Sequence, residues 1–164
     1  AGYVPSESYE IPFGKGRVLK EGKDITIVGV SHTVEDALRA SDLLKGVGVN
    51  AEVIDPISLS PLDYDLIRKS ANKTKRLLVI DNGWLTCGFA SEIITDIAIN
   101  CKNISCQRMG FAETPCPTTP SLEKDFYPNP RSIAIEANNM CDGDNKWNPP
   151  EVTQSEIVSF KGPF

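Results

Sequence analysis

A single histidine, His32, limits the catalytic vocabulary of these 164 residues. With one imidazole and no Cys-x-x-Cys pair, a zinc cluster would need unusual ligands. The five cysteines, Cys87, Cys101, Cys106, Cys116 and Cys141, are odd in number and read as reduced thiols of a cytoplasmic-type protein, not as a disulfide framework. No apolar run approaches the ~20 residues that cross a bilayer, and the first residues lack the charged-then-apolar pattern of a signal segment. There is no basic stripe either. Lys+Arg 17 against Asp+Glu 22 gives a net charge of −5, which argues against nucleic acid or an anionic membrane surface as a partner. The length suits one well-buried domain and is too short for two ordinary ones.

What is present is an alternation of strand and helix signals around one stretch, Leu77 to Ile99. Leu77-Leu78-Val79-Ile80 reads as a buried strand, Asp81-Asn82-Gly83 as a turn, and Gly83 to Gly88 as a loop bounded by glycines. Apolar residues at 89, 90, 93, 94, 97 and 98 then predict a helix with Glu92 and Asp96 on its wetter side. Upstream, Arg17–Lys20 is a candidate edge strand and Ile25–Val30 the first buried strand. A helix follows, with Thr33 as its expected N-cap, Val34, Ala37, Leu38, Leu44 and Val47 on its apolar side, and Gly46 and Gly48 at its end. Ala51–Asp55 is a second strand stopped by Pro56, and Ser60-Pro61-Leu62-Asp63 a helix start. Downstream, Ile104–Met109 is a weaker strand, 114–120 is too proline-rich for regular structure, and Pro130–Asn139 is a last helix. Three segments are expected: a linker at 1–10, a domain at 11–140 and an irregular polar tail at 141–164. Strands and helices at this spacing predict an α/β fold with a mostly parallel sheet.

Several chemical readings compete at the carboxyl ends of the strands. Gly83-x-x-x-x-Gly88 has the glycine spacing of a phosphate loop, but Phe89-Ala90 stands where a lysine and a hydroxyl are needed. The nucleotide reading fails, leaving weak anion affinity at the helix end as an alternative. Asp55, Asp81 and Glu92 read as caps and ion-pair partners, and His32 as a structural histidine. Thr86-Cys87-Gly88 is the one candidate nucleophile loop, and His32 is the base expected to serve it. The apolar and aromatic residues of the 84–89 loop are better explained by contact with another surface. Gly83, Trp84, Gly88, Phe89 and Glu92 are therefore the expected partner interface, with Trp84 and Phe89 as anchors.

A set of ordered segments resembles one known family. The pieces are Ile11-Pro12-Phe13-Gly14-Lys15, Glu21-Gly22-Lys23-Asp24 running into Ile25–Val28, and Glu52-Val53-Ile54-Asp55 with Pro61-Leu62-Asp63. They continue with Gly83-Trp84, Gly88, Glu92-Ile93, Arg108-x-Gly110, Pro115-x-Pro117 and Leu122-Glu123. Together they resemble the transketolase C-terminal-like domain found in the beta subunits of thiamine-diphosphate-dependent 2-oxo-acid dehydrogenases such as pyruvate dehydrogenase. The resemblance implies a three-layer α/β/α sandwich on a mostly parallel five-stranded sheet with one antiparallel edge strand. It also implies that thiamine diphosphate and magnesium lie between an alpha subunit and the N-terminal half of the beta subunit. This domain would then carry no catalytic, cofactor-binding or metal-binding residue of its own. Its partners would be the alpha subunit, a second beta subunit and the acyltransferase core. Its location would be the cytoplasm, or the mitochondrial matrix in a eukaryote. The whole enzyme would be an oxidoreductase that decarboxylates a pyruvate-like 2-oxo acid and passes the acyl group to a lipoyl arm. Two departures stand out: Pro56-Ile57 where the family often has Leu-Arg, and Asp81 where a glutamate is usual. They leave a transketolase or deoxyxylulose-phosphate-synthase-like relative as the alternative.

Overall fold

The computed structural model describes residues 6–123 and 125–150. Its elements follow the order β1 (Arg17–Lys20), β2 (Ile25–Gly29), α1 (Thr33–Lys45), β3 (Ala51–Asp55), α2 (Tyr64–Thr74), β4 (Arg76–Trp84), α3 (Phe89–Asn100), β5 (Ser105–Phe111), the single turn α4 (Pro120–Glu123) and α5 (Pro130–Met140). The five strands form one sheet in the order β1-β3-β2-β4-β5, parallel throughout except for β1, which runs antiparallel to β3 at the edge. The expected architecture holds.

Strand periodicity decides which helix each side chain meets. Ile25, Ile27, Ala51, Val53, Leu78 and Ile80 face α1 and α5, while Val28, Ile54, Leu77 and Val79 face α2 and α3. Each of these isoleucines and leucines is fully buried, worth roughly 1.5–3 kcal/mol relative to exposure. Two faces, each sealed by a helix pair, make the three layers.

Three boundaries differ from the sequence reading. Thr33 is the first residue of α1 and not its cap; its hydroxyl turns back to the sheet instead. Val47 lies beyond the helix end and is exposed. Asp81-Asn82-Gly83 is not a turn, because β4 continues to Trp84. The helix start read at Ser60-Pro61-Leu62-Asp63 falls at its last residue, where Asp63 caps α2 and accepts from the Leu66 amide at 3.2 Å. Past α5, residues 141–150 have no helix or strand, yet Trp147 packs against the α1–α5 core and Pro149 is buried. The remainder of the expected tail lies outside the described residues.

Two polar residues sit inside the strands on the α2 face. Thr26 shares its hydroxyl with Ser70 (2.7 Å) and Thr74 (2.8 Å), and Glu52, 2% exposed, accepts from Ser70 and Lys73. The Gly22 amide adds a bond to the Glu52 carboxylate at 3.3 Å. Burial alone would push the Glu52 carboxyl upward. The bonds from Lys73, Ser70 and Gly22 outweigh it and hold the carboxyl below the ordinary glutamate range. A depressed folded value means that ionised Glu52 contributes stability in full above its unfolded pKa. That contribution is lost as pH falls through the folded value. Urea unfolding should show Glu52→Gln less stable than the parent by about 1–3 kcal/mol at neutral pH. The gap should close in acid.

A candidate partner interface at the carboxyl edge of the sheet

Chain order reverses direction between β2 and β4, so the crevice beyond their carboxyl ends is where an open α/β sheet usually takes a ligand. Here that crevice is closed. The Val30 amide donates to the Ile80 carbonyl at 3.0 Å. The buried Thr33 hydroxyl accepts from the Val30 amide at 2.8 Å and lies 3.0 Å from the same Ile80 carbonyl. His32 stands exposed just outside as the N-cap of α1. Its charged neighbour is Asp36, whose carboxyl is pushed up by burial while His32 and Arg39 pull the other way. Cys87 is an exposed free thiol, and no hydrogen bond joins it to His32 among the described residues. No group of three or more His, Cys, Asp or Glu residues is placed to hold a metal among the described residues.

The edge instead opens between β4 and β5. Continuing the periodicity of Leu77 and Val79 puts Asp81 on the α3 face, directly under the start of that helix. Asp81 is 8% exposed, and its Oδ2 accepts the Ala90 amide at 3.4 Å. The partial positive charge of the helix terminus therefore meets a carboxylate of the same chain. An external anion would face that carboxylate. Gly88 is the N-cap of α3, and a Cβ there would fall 2.0 Å from the Trp84 carbonyl. The helix can start this close to the strand only with glycine at that position.

Between Ile80↔Met109 and Trp84↔Phe111, three residues of β4 oppose one of β5. Such a bulge bends the strand and re-aims the side chains beyond it. It turns Trp84 onto Phe111 and Phe126, each ring centroid 5.8 Å away and edge-on, yet leaves the residue 48% exposed. Phe126 is buried and stacks on Phe111 at 5.0 Å, so the indole rests on a fixed aromatic base. Arg108 fixes the loop after Trp84, donating to the Leu85 carbonyl at 2.7 Å and to the Ser91 hydroxyl. Gly110 lets β5 pass the Gly83 carbonyl, which a Cβ would meet at 2.5 Å. An open groove of about 550 Å³ runs along this rim, lined by Trp84, Leu85, Thr86, Glu113, Thr114 and Pro115.

Of the five expected interface residues, Trp84 and Glu92 are exposed and Gly83 and Gly88 half-buried. Phe89 is also half-buried and turns inward against the α2–α3 core, so only one of the two expected anchors points outward. Asp81, Arg108, Phe111 and Phe126 complete the arrangement, and the sequence does not mark them as site residues. The Arg108-x-Gly110 pattern is their one visible trace. The glycines separate cleanly in consequence. A Cβ on Gly83 would meet only the Asp81 carboxylate, at an ordinary 3.4 Å, whereas one on Gly88 strikes backbone. Gly88→Ala should lower the urea midpoint by the equivalent of about 2 kcal/mol or more, and Gly83→Ala by under about 1 kcal/mol.

Against known proteins, the profile of the family "Transketolase, C-terminal domain" matches residues 14–133. The chain is 39% identical over 135 residues to the acetoin:2,6-dichlorophenolindophenol oxidoreductase subunit beta of Bacillus subtilis, covering 80% of this chain and 40% of that protein. It is 34% identical over 141 residues to the mitochondrial pyruvate dehydrogenase E1 component subunit beta of Pisum sativum, covering 84% and 39% respectively. The chain thus spans about two fifths of the length of these curated relatives. Among solved structures, a split gene transketolase described as an inactive beta4 tetramer superposes with a TM-score of 0.76 at 26% identity. That match covers 87% of this chain and 46% of the other. The chain belongs to the transketolase C-terminal domain family.

Proposed function

We propose that this chain is the assembly domain of the beta subunit of a thiamine-diphosphate-dependent 2-oxo-acid dehydrogenase. Its relatives include pyruvate dehydrogenase and acetoin oxidoreductase beta subunits, bacterial and mitochondrial. On this reading the domain performs no chemistry alone. It meets an alpha subunit, a second beta subunit and the acyltransferase core, in the cytoplasm or the mitochondrial matrix. Thiamine diphosphate and magnesium are held elsewhere in the whole enzyme, which decarboxylates a pyruvate-like 2-oxo acid. Among the described residues no helix is long and apolar enough to cross a membrane.

The observation that carries this reading is the exposed, braced indole of Trp84 beside a helix terminus that faces the Asp81 carboxylate. A diphosphate needs amide donors or cations, and the terminus offers it a carboxylate. An indole held on aromatic neighbours and left half-exposed is the kind of group that anchors protein contacts. Gly83, Trp84, Gly88 and Glu92 are accordingly assigned to the alpha-subunit contact, with Phe89 supporting them from beneath. Self-association has a precedent in the split gene transketolase, whose beta chains form a tetramer. Titration calorimetry of this chain with thiamine diphosphate and magnesium should give no binding heat. Tight stoichiometric binding would contradict the assignment.

A further inference from the structure

Cys101 and Cys106 bracket the loop between α3 and β5, and the carboxyl end of α2 holds both ends of that loop. At one end Asn72 Nδ2 donates to the Cys101 sulfur at 3.3 Å. At the other the Ser105 amide donates to the Lys75 carbonyl at 3.0 Å, which fixes Cys106 as the next residue of β5. Asn72 and Lys75 are themselves joined, Lys75 Nζ reaching Asn72 Oδ1 at 3.4 Å. Strand alternation turns Cys106 to the α2–α3 side, and Cys101, Ile104 and Cys106 all pack against the same buried cluster there. Two thiols with four residues between them in the chain are thus gathered at one place.

Both thiols are free and half-buried, and their surroundings differ. Burial pushes the Cys106 thiol up and the neighbouring Cys101 sulfur adds to the rise, so Cys106 stays protonated at neutral pH. Cys101 faces a donor and positive charge. Besides the Asn72 amide, the Arg68 guanidinium is an electrostatic neighbour of its sulfur, although Asp96 is the group that chiefly keeps Arg68 protonated. Such surroundings favour reaction of a sulfur with peroxide, and an adjacent thiol is what resolves the product.

We propose that Cys101 and Cys106 are a reversible peroxide-responsive pair, Cys101 the sulfur oxidised first and Cys106 the one that resolves it. In the first step the Cys101 sulfur attacks one oxygen of hydrogen peroxide and the O–O bond breaks. Cys101 becomes a sulfenic acid, and its thiol proton leaves with the other oxygen as water. In the second step the Cys106 sulfur attacks the Cys101 sulfur and the S–OH bond breaks. The hydroxyl departs as water with the Cys106 proton, and the disulfide remains. Two electrons have passed from the thiols to the peroxide, and a dithiol reductant returns them. The pair lies at the amino ends of the strands, away from the Trp84 edge, so it is independent of the assembly reading.

The test uses the 164-residue chain, fully reduced, treated with excess hydrogen peroxide, blocked at its remaining thiols, unfolded and digested with trypsin. Cleavage at Lys102 separates the two cysteines, placing Cys101 in peptide 77–102 and Cys106 in peptide 103–108. Mass spectrometry should recover these peptides joined, two hydrogens lighter than their sum, and dithiothreitol should part them. Peptide 77–102 also carries Cys87, so the same link should persist in Cys87→Ser. Dimedone should label Cys101 in Cys106→Ser about tenfold more than it labels Cys106 in Cys101→Ser. Peptides recovered unjoined from the parent, a link lost in Cys87→Ser, or a label that favours Cys106 would overturn the proposal. The parent digest involves no substitution, so a misfolded variant cannot account for a missing link.

Discussion

The carboxylate of Asp81 at the amino end of α3 is the contact on which the functional edge depends. A parallel α/β sheet leaves helix termini pointing past the carboxyl ends of its strands, and those termini attract anions. In this chain β4 runs beyond its last buried isoleucine, and Asp81 arrives under α3 in the same register as Leu77 and Val79. The helix dipole is thereby met from within the domain. Gly88 makes the arrangement sterically possible, and Arg108 secures the loop through Leu85 and Ser91. Thr33 closes the neighbouring crevice in a similar way, with a side chain where another protein of this topology would place a ligand.

With the Asp81 carboxylate under the start of α3 and the Thr33 hydroxyl beside the neighbouring strand ends, the exposed aromatic part of this edge is Trp84. The Trp84 rim is aromatic, braced and bordered by a groove.

Most of the fold is legible in residue order alone. The strands of branched apolar residues, the helix start at 60–63 and the proline-stopped β3 each follow from local rules that tertiary contacts do not override. The Leu77–Ile80 run locates β4 but marks its end too early. Asp81-Asn82-Gly83 carries every local mark of a turn, and only pairing across to β5 through a bulge keeps it extended. Thr33 misleads for a related reason: a threonine before a helix looks like a cap until a distant carbonyl, that of Ile80, claims its hydroxyl. Glu92 is recognisable as a surface residue from its helical spacing, and Trp84 from its place in an apolar loop. The inward turn of Phe89 and the aromatic base of Phe111 and Phe126 are not, because they depend on contacts between residues far apart in sequence. The meeting of the segment before β1 with the 57–61 loop is another such case, made by a Gly14–Pro61 approach that no local pattern announces.

On the proposed assignment the Trp84 edge is covered by another chain in the assembled enzyme. The sequence has two tryptophans, so Trp147→Phe leaves Trp84 as the sole indole. Acrylamide quenching of that variant, before and after mixing with the alpha subunit of the proposed enzyme, tests it directly. A fall in quenching with a blue-shifted emission is predicted on assembly. An assembled, thiamine-diphosphate-loaded enzyme in which Trp84 remains as quenchable as in the free chain would contradict it.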